Sequence, residues 1–269
     1  MKRIRILCVP GLALLLAGAS VGQFRSADRG PAVDSEWQID QDFEGDVFTF
    51  VRVEFQSWRD NHRHPKWMTD HPDSDRNFSF RLQQLTSLKV NPRPISLKLT
   101  DPRLLKYPFL YMVEPGRIML EDDEVAALRR YLDNGGFLMV DDFWGEEEWA
   151  NFYAEIMKVY PDREPVELPL EHDIFHCVYP LKEKPQVPSI NAAWHGRAAG
   201  ITWERSDARE VHYKAIFDDQ GRIVVFIGHN TDLGDGWERE GVQEWYFREF
   251  SEKKAYPLGI NIVTYAMTH

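Results

Sequence analysis

Cysteine is nearly missing from this chain: there are two in 269 residues, Cys8 and Cys177. If Cys8 leaves with the N-terminal segment described below, no intramolecular disulfide can form and the fold must rest on its core. Positive charge is also scarce. Lys and Arg number 32 against 43 Asp and Glu, a formal net charge of -11. Such a balance offers no electrostatic footprint for nucleic acid or for an anionic membrane surface. Also missing are a Gly-x-Ser-x-Gly elbow, a phosphate loop, a dinucleotide fingerprint and a His-Glu-x-x-His pair. Each absence removes a reaction class. No cofactor is expected on these grounds, although a bound divalent metal stays open.

What is present is a large apolar complement, 43% hydrophobic with nine tryptophans and 16 phenylalanines. That suffices for a sizeable core, and the composition is not that of a disordered chain. The first residues stand apart. "MKRIRILCVPGLALLLAGAS" has a basic start, an apolar run too short for a span and interrupted by Pro10, and small residues after it. Residues 1–22 therefore read as an export signal, which predicts a periplasmic or extracellular protein. An uncleaved N-terminal tether is the alternative. Cys8 lies inside the apolar run, so it does not read as a lipid attachment site. Loss of Lys2, Arg3 and Arg5 would bring the charge to about -14. Residues 23–46 are polar and read as a linker of low order; residues 47–269 read as a single domain.

Within that domain, "FTFVRVEF" (48–55) alternates like a strand. A loop rich in histidine and tryptophan follows, and Asp75 is placed to cap a helix over 76–90. "ISLKL" and the more uniformly apolar "YPFLYMVEPG" (107–116) predict two further strands. "LEDDEVAALRRYLDNGG" carries acids in its first turn, arginines in its last and Asn134-Gly135 as a stop, so it predicts a helix. "FLMV" (137–140) is a fourth strand and 146–160 a further helix. Residues 161–205 loosen into prolines and short apolar pieces. "VHYKAIFDDQGRIVVFIGHN" (211–230) reads as a hairpin and 256–269 as an apolar helix. Strand–helix alternation at this spacing predicts an α/β domain, mostly parallel, with helices on both faces and a late β-hairpin.

Open parallel sheets bind ligands beyond the carboxyl ends of their strands. The candidates there are Glu114, Asp141 and Asp142, with Asn230 and Asp232 from "GHNTDLGDGWE". Asp141 or Asp142 can serve as a base or a metal ligand, or both can be structural, with Asp142 accepting amide N–H bonds near Gly145. "GHNTDLGDGWE" itself reads as a turn-rich loop, with only a faint likeness to a calcium loop. His172 of "LEHDIF" is the candidate acid–base partner. His62, His64 and His71 offer donors for zinc without a known spacing, and a solvated loop is the blander reading. Cys177 in "FHCVYP" reads as packed core rather than as a nucleophile. Asn77-Phe78-Ser79 fits a glycosylation acceptor. Trp58, Trp67, Trp144 and Trp237 would have to be exposed to make a carbohydrate platform.

Together "RVEF", "YPFLYMVEPG", "LRRYLDNGGFLMVDDFWG", "LEHDIF", "NTDLGDGWE" and "YPLGINIVTYAMTH" resemble a bacterial family, the domain of unknown function 4159. The resemblance implies a three-layer, flavodoxin-like fold related to class I glutamine amidotransferases and to trehalose-utilisation-like proteins. It brings no activity. The amidotransferase pattern needs a cysteine on a strand-to-helix elbow and a later His-x-Glu pair, and this sequence shows neither. The expectation is a domain binding a small molecule or a protein partner at the strand-end crevice, with no role for nucleic acid and no membrane contact beyond the export signal. The alternative is a hydrolase using a carboxylate and histidine, with or without a metal.

Overall fold

The computed structural model describes Trp37, residues 46–58 and residues 64–269. The segment that reads as an export signal and most of the expected linker lie outside these, as does His62. Within the linker, Trp37 is half-buried, and its indole donates to Val90 O at 2.6 Å.

The strands are β1 (Val51–Glu54), β2 (Gln56–Ser57), β3 (Ile95–Lys98), β4 (Phe109–Val113), β5 (Ile118–Met119), β6 (Phe137–Asp141), β7 (Val166–Glu167), β8 (His212–Phe217) and β9 (Ile223–His229). The helices are α1 (Asp73–Leu85), α2 (Asp122–Asp133), α3 (Gly145–Val159), α4 (Ile190–Gly196), α5 (Leu233–Glu238), α6 (Glu244–Tyr246) and α7 (Tyr256–Thr268). A π-helical stretch, Phe247–Ala255, joins α6 to α7 without a break.

Seven strands form one sheet in the order β3-β1-β4-β6-β9-β8-β7. The first five are parallel to one another, and β8 runs antiparallel between β9 and β7. In chain order the parallel strands read 2-1-3-4-5, the order of flavodoxin-like sheets, whose topological switch point lies between the first and third. Here that is between β1 and β4. The pleat sorts β4 cleanly. Phe109, Tyr111 and Val113 join one core with Phe78, Trp237, Leu258 and Ile262, from α1, α5 and α7. Leu110 and Met112 join a second core with Leu128, Leu132, Phe152 and Ile156, from α2 and α3. The period of two along a strand thus produces three layers.

α2 has the expected acidic first turn, closed by a capping box between Glu121 and Glu124. α1 differs from expectation, spanning 73–85 rather than 76–90, and Asp75 is not its cap. Asp75 lies inside the helix, buried, and faces Arg52 on β1. A guanidinium in the core needs a carboxylate partner, and that requirement outweighed the capping role. Asn77 is buried and donates to Trp237 O at 2.9 Å, which removes it as a glycosylation acceptor. The loose region 161–205 contains the edge strand β7 and the short helix α4.

Candidate functional site

The carboxyl ends of the parallel strands form a row. Glu54 pairs with Lys98 at the ends of β1 and β3, and Val113 with Asp141 at the ends of β4 and β6. The residue following each of β4, β6 and β9 is left-handed without being glycine: Glu114 (φ 48°), Asp142 (φ 57°) and Asn230 (φ 62°). Asp70, on the loop above them, is the fourth such residue described, at φ 61°. Each such conformation costs on the order of 1–3 kcal/mol and persists where the surroundings enforce it, often at functional sites. Backbone hydrogen bonds hold it here. Glu114 N donates to Asp141 O, Asp142 N to Thr231 O and Asn230 N to Phe143 O, at 2.9–3.1 Å.

Asp141 is fully buried. Its Oδ2 accepts from Tyr111 Oη at 3.1 Å and Gly234 N at 3.0 Å, while Oδ1 has no partner. Burial pushes its carboxyl up to about 7, against the pull of those two donors. Asp142 accepts the Trp144 indole N–H at 3.0 Å rather than an amide near Gly145; Gly145 N goes to Asn230 Oδ1 at 2.9 Å. Burial, then the charges of Glu114, Asp70 and Asp141, push Asp142 well above the usual carboxylate range. Asn230 also donates to Glu210 O at 2.8 Å, so both ends of its amide are committed to backbone. Glu114 accepts from Thr69 Oγ1 at 2.9 Å and pairs with Lys66 at 2.6 Å.

Asp232 lies in a helix start. "LGDGWE" folds as α5 rather than as a turn-rich loop, with Asp232 as N-cap accepting Asp235 N at 2.7 Å. Its glycines allow close approach rather than bending the chain: a Cβ on Gly236 would stand 2.5 Å from the Ala255 Cβ. Burial, then Asp142, Asp70 and Asp235, push Asp232 well up. Two further acids, Asp70 and Asp235, stand with it. The Asp232–Asp235 spacing of three is a capping signal legible in sequence. Asp70 arrives from 162 positions upstream of Asp232, and nothing local announces it.

Arg52 places that loop. It is fully buried on β1 and its Nη1 donates to Trp67 O at 3.0 Å and Thr69 O at 2.7 Å. Trp67 faces a cavity of about 570 Å³ at the ends of β1 and β3, beside the switch point, with Glu54, Lys98, Glu121, Asp123 and Glu124 on its other walls.

His172 is elsewhere. Its ring lies 6.2 Å from Phe217 and 5.7 Å from Tyr265. Phe217 pairs with Ile223, the first residue of β9, so this is the amino end of the parallel sheet. His172 therefore does not converge with Asp141 or Asp142. His64 is exposed, and His71 is half-buried beside Trp67 with its imidazole pushed down by burial. Among the described residues, the group able to hold a metal is Asp70, Asp232 and Asp235 rather than these histidines. Cys177 is at the surface, not in the core. Its Sγ donates to Asn261 O at 3.1 Å and partial burial pushes the thiol up, so it is held protonated and away from the crevice. Trp237 and Trp144 are buried and Trp58 and Trp67 half-buried, so the four make no surface platform.

No helix among the described residues is long and apolar enough to cross a membrane. No curated protein matches the chain. A family profile described as a domain of unknown function, DUF4159, matches residues 49–267. That span takes in every parallel strand, the crevice residues and all the buried core residues but Phe48, and the chain belongs to the DUF4159 family.

Proposed function

We propose that this domain binds a small, positively charged organic ligand in the cavity beside the switch point. The observation that carries the reading is the cavity itself. Its volume of about 570 Å³ falls in the range of roughly 300–1,000 Å³ typical of small-molecule sites, and it lies beyond the carboxyl ends of β1 and β3, the end of the sheet at which doubly wound folds bind ligands. Four carboxylates, Glu54, Glu121, Asp123 and Glu124, face one ammonium, Lys98, with the Trp67 indole beside them. That lining suits an amine: carboxylates supply charge and the ring a cation–π face.

An amidotransferase reaction has no support, because Cys177 is remote from the crevice and held as a thiol. The acid–base hydrolase loses its histidine with His172 at the opposite end of the sheet. Asp141, near 7, has the proton affinity of a general base, but at 0% exposure it cannot touch a ligand.

Titrating the full chain with putrescine, spermidine and choline, by calorimetry, tests the reading. Saturable binding by at least one of them is expected, weakened by added salt. Trp67→Ala should weaken it about tenfold, the size of a desolvated cation–π contact, and Glu54→Gln should weaken it further. Heat signals indistinguishable from buffer for all three amines would sink the proposal.

We also propose that the chain is exported. Residues 1–22 support this by their basic, apolar and small-residue order. The mass of the protein recovered outside the cytoplasm should lack roughly those residues; an intact N-terminus there would favour the tether instead.

A further inference from the structure

We infer that Asp70, Asp232 and Asp235 bind one hard divalent cation, of the class of Mg²⁺, Ca²⁺ or Mn²⁺. Each presents a carboxylate oxygen, and the three oxygens lie within 4.8 Å of one another. Two Ca–O bonds of about 2.3–2.6 Å place oxygens on opposite sides of an ion about 4.6–5.2 Å apart. The three oxygens are close enough for one ion to reach them together. An all-oxygen set favours hard cations over zinc, which takes nitrogen and sulfur readily.

Proximity of acids is not a site by itself; the orphaned Asp70 oxygen is the further observation. Asp70 Oδ2 is buried and accepts no hydrogen bond. It points at Gly234, where a Cβ would lie 2.7 Å from Asp70 Oδ2, 2.8 Å from Tyr111 Oη and 3.5 Å from Asp232 Oδ1. Glycine is needed there, because these oxygens close in on the place a side chain would take. Asp70 is further held in a left-handed conformation. An acid held in that conformation with a buried oxygen short of a donor is destabilising, and a cation on that oxygen offsets the cost.

Counter-charges inside the protein are few. Arg239 pairs with Asp235 at 3.0 Å and with Glu238 at 2.7 Å. Arg52 is committed to Asp75. One guanidinium thus faces Asp70, Asp232, Asp235 and Glu238. Asp235 already accepts Ile190 N and Arg239 Nε, and a carboxylate has lone pairs to spare for an ion. None of the three proposed ligands lines the amine cavity, so the two proposals stand or fall separately.

The test is calorimetric titration of the chelator-treated full chain with CaCl₂, MgCl₂ and MnCl₂ in turn. One ion per chain is expected for at least one metal, with a dissociation constant below about 1 mM and a raised melting temperature. Asp70→Asn and Asp232→Asn should each weaken binding about tenfold or more. Both remove a charge from a like-charged cluster, so circular dichroism should show them folded. Glu252→Gln, an exposed acid outside both the cluster and the cavity, should bind as the unaltered chain does. No saturable binding by any of the three metals would overturn the proposal. So would equal affinity in the unaltered chain and a folded Asp70→Asn or Asp232→Asn, or an equal loss in Glu252→Gln, which would mark diffuse attraction to acidic surface.

Discussion

Replacing Arg52 with methionine should destabilise the fold by about 3–5 kcal/mol, the usual cost of removing one partner from a buried ion pair. The guanidinium is fully buried and all of its N–H groups are engaged. Nε donates to Asp75 Oδ2 at 2.9 Å, and Nη2 to Asp75 Oδ1 at 2.5 Å and Ser74 Oγ at 2.9 Å. Nη1 holds the carbonyls of Trp67 and Thr69. Methionine fills much of the volume but leaves the buried Asp75 carboxylate with only the Ser74 hydroxyl as a donor and two carbonyls with none. Lysine keeps the charge with three donors on one nitrogen and cannot reproduce the fork, so Arg52→Lys should fall between. The double variant Arg52→Met, Asp75→Leu removes both charges and should recover part of the loss, because an unpaired buried charge costs more than a missing pair. Urea midpoints for the three variants check this. A loss under about 1 kcal/mol in Arg52→Met would mean that the pair is not a keystone. Because Arg52 also holds the segment carrying Trp67 and Asp70, amine and metal binding should fall together in any Arg52 variant that folds.

Stability should decline as pH rises from about 6.5 to 8, and Asp141→Asn should flatten that decline. Folding raises the Asp141 carboxyl from an ordinary 3.8 to about 7. Between those values the native state holds a proton that the unfolded chain has lost. The contribution is therefore full below about 4 and lost as pH rises through about 7. A shift of about three units corresponds to roughly 4 kcal/mol. His229 acts in the opposite sense. Burial lowers its imidazole from 6.5 to about 4, so its contribution is present above 6.5 and lost as pH falls through 4. The two slopes oppose each other below 6.5, and above it the Asp141 slope is uncovered, together with that of Glu238, which burial also raises to about 7. Asparagine at 141 keeps an oxygen for Tyr111 and Gly234 and carries no proton to lose. Denaturant midpoints between pH 6 and 8.5 measure the effect; an unaltered slope in Asp141→Asn would assign the titration to other groups.

The strand-end acids show how far local pattern reaches. Glu114, Asp141 and Asp142 follow apolar runs, and a run bounded by helices must be a buried parallel strand, so their place beyond the sheet is legible from sequence. The same logic located the helix over 122–133 and the hairpin, whose periods and turn residues are encoded within a few positions. α5 escaped it because two glycines in six residues suppress helix propensity; the helix exists because Gly236 must pass Ala255 and Trp237 fills the core beside Phe78. His172 was misplaced because residues 161–205 carry no period from which to route the chain.

By itself, the sequence determined the α/β class, the alternation of strands and helices, and the acidic ends of β4 and β6, since each rests on periodicity and turn chemistry within a short window. Only the tertiary structure decided the 2-1-3-4-5 order, the capture of Asp75 by Arg52, the removal of His172 to the far end and the meeting of Asp70 with Asp232 and Asp235. Those outcomes depend on which distant groups satisfy one another once water is excluded, and burial sets those terms only when the layers close.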